Sequence, residues 1–67
     1  MIALTINGEA QRFERALSVA ELIERLQLAG RRIALERNGE IVPRSRFDHE
    51  QLTDGDRLEI VVAVGGG

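Results

Sequence analysis

Ser18-Val19-Ala20-Glu21-Leu22-Ile23-Glu24-Arg25-Leu26 decides how the rest of the chain must fold. A serine three residues ahead of a glutamate permits reciprocal capping, the Ser18 hydroxyl accepting from the Glu21 amide while the Glu21 carboxylate accepts from the Ser18 amide. Val19, Leu22, Ile23 and Leu26 fall at i, i+3, i+4 and i+7, so a helix begun at Ser18 carries one apolar stripe and turns Glu21, Glu24, Arg25 and Gln27 away from it. Such a helix needs an apolar sheet to cover. Gly30 supplies the left-handed residue that ends helices, and Arg31 and Arg32 just beyond it complement the helix dipole.

Upstream, Ile2-Ala3-Leu4-Thr5-Ile6 alternates large and small residues, which predicts a strand with Ile2, Leu4 and Ile6 facing inward. Asn7-Gly8 tolerates positive φ and suits a tight hairpin turn, so a second strand over about residues 11–15 returns antiparallel with Phe13 inward. Downstream, residues 33–37 form a strand that ends at a second Asn-Gly, Asn38-Gly39, with a short strand 40–42 after it. Pro43 has no amide donor and stops the pairing, leaving residues 44–51 as an irregular crossover anchored by Phe47. Thr53-Asp54-Gly55-Asp56 is turn chemistry. Residues 57–64 then form the longest β-type run, with Leu58, Ile60, Val62 and Val64 toward the core and an apolar outer face that marks a central strand. The order predicts an α+β, β-grasp (ubiquitin-like) roll: a mixed sheet of four to five strands, one main helix across one face, and the last strand inserted beside the first.

The chain has 67 residues, enough for one domain, predicted over 1–64 with a flexible glycine tail at 65–67. It has no cysteine and one histidine, His49, which excludes a disulfide scaffold, a cysteine nucleophile and a Cys/His zinc site. Core packing must therefore supply the stability. Nine basic against eleven acidic residues give a net charge of −2, and Phe13 and Phe47 are the only aromatics, so neither a basic footprint nor a stacking platform for nucleic acid is present. All nine basic residues are arginine, so chains linked through lysine side chains cannot form. No secretion signal or long apolar run is visible, and a cytoplasmic protein without membrane attachment is expected. His49 reads as a solvated loop residue, Asp54 and Asp56 as turn residues rather than an acid/base pair, and Arg44 as packing or capping its loop.

After Val64 come Gly65-Gly66-Gly67. A phosphate-cradling loop needs a helix after its glycines, and none follows. The remaining readings are a frayed end or a terminal carboxylate that is itself the reactive group. A β-grasp order, this length and a Gly-Gly ending together resemble the ThiS family, the sulfur carriers of the thiamine pathway. The resemblance spans the whole chain and is carried by residues 18–23, by Leu35-Glu36-Arg37-Asn38-Gly39-Glu40-Ile41-Val42-Pro43-Arg44, and by Leu52-Thr53-Asp54-Gly55-Asp56. The Asn-Gly-Glu-Ile-Val-Pro-Arg run is the most specific of these. Other β-grasp carriers, such as the small subunit of molybdopterin synthase, share the Asp-Gly-Asp turn and the glycine ending. A carrier for molybdopterin or another pathway, and a non-catalytic ubiquitin-like interaction module, therefore stand as alternatives.

The resemblance implies a protein that is not an enzyme and binds no cofactor of its own. It implies that Gly67 is adenylated by a ubiquitin-activating-type (ThiF-like) adenylyltransferase with ATP and Mg²⁺. Sulfur from a donor such as a cysteine desulfurase then yields a Gly67 thiocarboxylate for thiazole synthase (ThiG-like). Gly65 and Gly66, with no Cβ atoms, suit a narrow channel in a partner, and three extended residues reach about 10 Å. For docking, the outer face of the last strand is the candidate, with Val61 and Ala63 beside Ala3 and Thr5 of the first strand as a small apolar patch.

Overall fold

The Ser18 hydroxyl accepts the Glu21 amide at 3.1 Å and the Glu21 carboxylate accepts the Ser18 amide at 2.8 Å, so both halves of the capping box form. The computed structural model describes residues 1–63, and in it helix α1 runs Val19–Arg25. Its buried residues are Val19, Leu22 and Ile23, and Leu26, the fourth residue of the predicted stripe, packs partly buried against the core from the C-cap position. The predicted stop at Gly30 is too late. Leu26 caps the helix and Gln27 takes the left-handed conformation at φ 62°. The Gln27 amide then donates to the Glu24 carbonyl at 3.0 Å and the Leu28 amide to the Ile23 carbonyl at 2.9 Å, which is a complete Schellman closure. A non-glycine residue bears this strain, of about 1–2 kcal/mol, because the closure swings Leu28 onto the core. Gly30 also has positive φ, but in the next turn, so Arg31 and Arg32 lie past the helix end and Arg25 is the basic residue of its last turn.

Strand β1 (Ile2–Ile6) pairs antiparallel with β2 (Glu9–Phe13), Ile2 opposite Phe13 and Ile6 opposite Glu9. The second strand thus begins two residues earlier than expected: Asn7 and Gly8, at φ 51° and 85°, turn the chain within two residues and leave no slack before pairing resumes. Phe13 packs against the core as predicted. Strand β3 (Ile33–Arg37) pairs antiparallel with the two-residue β4 (Glu40–Ile41) across Asn38-Gly39, and with β5 (Arg57–Val62) on its other side. The sheet has five strands in the order β2-β1-β5-β3-β4, and β5 lies parallel to β1. The last strand is inserted beside the first, as the β-grasp reading required.

The crossover from β4 to β5 is pinned by backbone rather than by Phe47 alone. After a 3-10 turn at Arg44–Arg46, the Phe47 carbonyl accepts the Ala20 amide and the Glu50 carbonyl accepts the Val19 amide, at 3.0 and 2.9 Å. The loop thereby satisfies helix N-terminal donors that no side chain reaches. Leu52 continues it into the interior, its amide bonded to the Leu17 carbonyl at 2.9 Å. Leu4, Leu22, Leu35, Leu52, Leu58 and Val19 are the most deeply buried side chains between helix and sheet. Leu17 and Leu52 enter this core from loops outside any periodic segment, so pattern alone did not assign them, and buried Val42 follows β4, which ends at Ile41, one residue short of the expected strand.

Candidate functional site

The strand that leads toward the C-terminal glycines is gripped from both sides. On the β3 side, Asn38 donates its amide to the Arg57 carbonyl at 2.7 Å and accepts the Arg57 amide on Oδ1 at 2.9 Å. Its Nδ2 reaches Asp56 Oδ1 at 3.1 Å. Asp56 itself is buried. Its carboxylate accepts the Thr53 amide at 2.9 Å, the Thr53 hydroxyl at 3.2 Å and Arg37 Nε at 2.9 Å, while Arg37 also pairs with Glu50 at 2.9 Å. Burial pushes the Asp56 carboxyl up, but the Thr53 and Asn38 hydrogen bonds and the Arg37 charge outweigh it and hold the group below the usual carboxylate range. Desolvation pulls the Arg37 guanidinium down and its Glu50 and Asp56 partners more than compensate, leaving it raised. A carboxylate so fully bonded is a clamp on the start of β5 and not a proton shuttle. The companion Asp54 accepts the Ala3 amide at 2.7 Å, tying the same turn to β1.

Sequence reading missed this cluster, although a signal was present. Arg37 continues the inward series Ile33, Leu35, and Asp56 precedes the inward series Leu58, Ile60, so opposite charges sat at core-facing positions of two strands that pair. His49 is exposed on the crossover loop, as expected. Arg44 bonds through its guanidinium to the Arg31 carbonyl at 3.1 Å, which is the loop-capping use. Among the described residues no group of three His, Asp or Glu side chains is placed to hold a metal ion, and no helix is long and apolar enough to cross a membrane.

Val61 is 64% exposed on the outer face of β5, and Ala63 beyond it is exposed as well. Ala3 and Thr5 also turn outward, alternating with the buried Leu4 and Ile6. They do not sit beside Val61. In the parallel β1–β5 register Thr5 is opposite Arg57, four residues or about 13 Å before Val61, and Ala3 lies farther still, with its carbonyl bonded to the Gly55 amide at 2.8 Å. Two parallel strands that start together keep their starts together, so β1 borders the beginning of β5 and not its end. The neighbour of Val61 is Ala34, exposed on β3. One strand farther out stands Ile41, 62% exposed, and Glu36 and Glu59 face each other between these apolar residues. Val64, Gly65, Gly66 and Gly67 lie outside the described residues.

A five-stranded sheet crossed by one capped helix, with its last strand central and parallel to the first, defines a ubiquitin-like β-grasp protein. Comparison with known proteins narrows this. The ThiS family model matches residues 4–67. The crystal structure of the thiamine biosynthesis protein ThiS from Geobacter metallireducens superposes with a TM-score of 0.84 at 35% identity, covering 98% of this chain and all of that one. The sulfur carrier protein ThiS of Bacillus subtilis is 34% identical over 96% of this chain and 98% of its own length. A thiazole synthase of Paramagnetospirillum magneticum is 45% identical over 96% of this chain, which spans only 20% of that protein's length. The chain belongs to the ThiS family of β-grasp sulfur carriers.

Proposed function

We propose that this chain carries sulfur for thiazole formation in thiamine biosynthesis, with Gly67 as the carrying residue. The observation that supports it most is the family match, which runs through the glycines to residue 67. An α-carboxylate ionises at a pKa of about 3.3–3.7, so at neutral pH it is an anion, unreactive as an acyl donor but able to attack phosphorus. In this reading the Gly67 carboxylate attacks the α-phosphate of ATP on a ThiF-like adenylyltransferase that holds the Mg²⁺, pyrophosphate leaves, and an acyl-adenylate remains. A persulfide on a donor such as a cysteine desulfurase attacks the acyl carbon and AMP departs with its oxygen. A second thiol then cleaves the S–S bond and frees the Gly67 thiocarboxylate. This chain supplies the acyl group and the docking surface, the partner supplies ATP chemistry, and the reaction belongs to the cytoplasm where ATP is available. Gly65 and Gly66 are the residues that thread the partner's channel.

Thiazole synthase (ThiG-like) is the proposed recipient. The thiazole synthase of Paramagnetospirillum magneticum supports this, because a segment similar to this chain there shares a polypeptide with the rest of that protein. The alternative recipient is separated genetically. The chain is expected to restore growth without thiamine to a strain lacking its own thiazole-pathway carrier, and not to rescue a molybdenum-cofactor carrier mutant. The reverse pattern from a folded protein would reassign the recipient.

Docking is proposed on the outer face around Val61 and Ala63, now with Ala34 and Ile41 as the nearby apolar residues. Ala3 and Thr5 would be reached only by a partner that also covers the far end of β5. Glu36 and Glu59, directly opposed beside these apolar residues, repel one another in the free protein. Val61→Glu is expected to fold, since an exposed substitution on this face costs within about 0.5 kcal/mol. Burying the new carboxylate unpaired against a partner is far more costly. The rate of adenylation at low enzyme concentration should therefore fall at least about tenfold, with circular dichroism unchanged. A folded variant turned over at the wild-type rate would remove Val61 from the interface.

A further inference from the structure

The turn residue Asn7 does more than turn the chain. Thr5 donates its amide to the Asp56 carbonyl at 3.0 Å and Asn7 donates its amide to the Leu58 carbonyl at 2.9 Å, so the even-numbered residues of β5 direct their polar groups toward β1. The next rung of a parallel ladder needs two groups from β1: a carbonyl at position 7 to accept the Ile60 amide, and an amide at position 9 to donate to the Ile60 carbonyl. Neither is available. Asn7 has turned to φ 51° and Glu9 already belongs to β2. The Asn7 carboxamide fills both places, Oδ1 accepting the Ile60 amide at 2.8 Å and Nδ2 donating to the Ile60 carbonyl at 3.1 Å.

Only an amide side chain presents an acceptor and a donor side by side in this way, and asparagine is also the non-glycine residue that best tolerates the left-handed conformation. Glycine at position 7 would make the turn without the rung, and aspartate would keep the acceptor and lose the donor. The rung falls at Ile60, the point where β5 outruns β1, one residue before exposed Val61. Past it, the β3 side still holds the strand: Ile33 faces Val62, and the Ala63 amide donates to the Arg32 carbonyl at 2.9 Å. Without the carboxamide, the end of β5 would be held along one edge alone.

We infer that Asn7 is a positioning residue for the carrier reaction: by completing the β1–β5 ladder at Ile60 it fixes the direction in which β5 delivers the C-terminal residues to a partner. The inference rests on the carrier reading above. A strand end held on both edges brings less disorder to the encounter, so less ordering has to be offset on docking. The effect belongs in the chain concentration needed for half-maximal adenylation, not in the turnover of the docked complex.

The test compares Asn7→Gly and Asn7→Asp with the native chain, using amide hydrogen exchange and steady-state adenylation by the thiamine-pathway activating enzyme with ATP. Exchange at Ile60 should quicken about tenfold in Asn7→Gly, as expected for one lost hydrogen bond, and less in Asn7→Asp. The Leu22 amide in the helix serves as the reference for global stability. KM for the chain should rise about five- to tenfold in Asn7→Gly with kcat within about twofold, and Asn7→Asp should fall between. Unchanged exchange at Ile60 relative to Leu22 would overturn the rung. Faster exchange with unchanged KM would reduce it to a structural tie and overturn the positioning role. A native chain that is never adenylated would remove the carrier reading, and the positioning role with it, while the exchange result would still report on the rung.

Discussion

One alanine appended after Gly67 is expected to abolish acyl-adenylate formation while leaving the folded domain and its melting temperature unchanged. The carboxylate that attacks ATP would become an amide, which has no anionic oxygen to offer. The new terminal carboxylate would lie about 3.5 Å farther along the chain and carry a Cβ into a path that glycine leaves clear. The body has no reason to respond. The described contacts at the end of β5 stop with the Ala63 amide on the Arg32 carbonyl, five positions before the added residue. Pyrophosphate release measures the outcome directly, and equal turnover of extended and native chains would mean that Gly67 is not the reacting residue.

Asp56→Ala should have the largest effect on stability, about 3 kcal/mol, because it strips a buried carboxylate from Arg37, Asn38 and Thr53 together. Small domains are stable by only about 5 kcal/mol or somewhat more, so the urea midpoint should drop by around half. The pH dependence follows from the same contacts. With its folded pKa held below its unfolded value, Asp56 contributes stability that is fully present above the unfolded value, about 3.9, and is lost as pH falls through the lower folded value. The native protein should therefore weaken more between pH 5 and pH 2 (roughly the span of that loss) than Asp56→Ala does. An unchanged midpoint at neutral pH would show that Arg37 and Glu50 hold the loop without Asp56.

What was legible in the sequence follows from how local each determinant is. The Ser18–Glu21 capping box and the Asn7-Gly8 and Asn38-Gly39 turns are decided within four residues, and each forms where it was read. The helix end was not legible, because burying Leu28 overrode the preference for glycine at the left-handed position and left Gln27 there. Exposure of Val61 followed from alternation within β5, but its neighbours did not. Alternation assigns a face, whereas only the parallel register, set by residues more than fifty positions apart, placed Ala3 and Thr5 at the other end of the strand. The Arg37–Asp56 clamp was hidden for a related reason: each charge looked like ordinary strand-end or turn chemistry until β3 and β5 were paired. Of the candidate site, the face of Val61 came from sequence, its surroundings came from the sheet, and the Gly67 chemistry came from family resemblance.

Intact-mass measurement of the chain after incubation with its activating enzyme, ATP, Mg²⁺ and a cysteine desulfurase with cysteine tests the central claim most directly. The carrier account predicts one exchange of oxygen for sulfur, dependent on ATP and located on Gly67 by fragmentation. A chain that stays at its starting mass in that complete system, or that gains sulfur at any other residue, would contradict it.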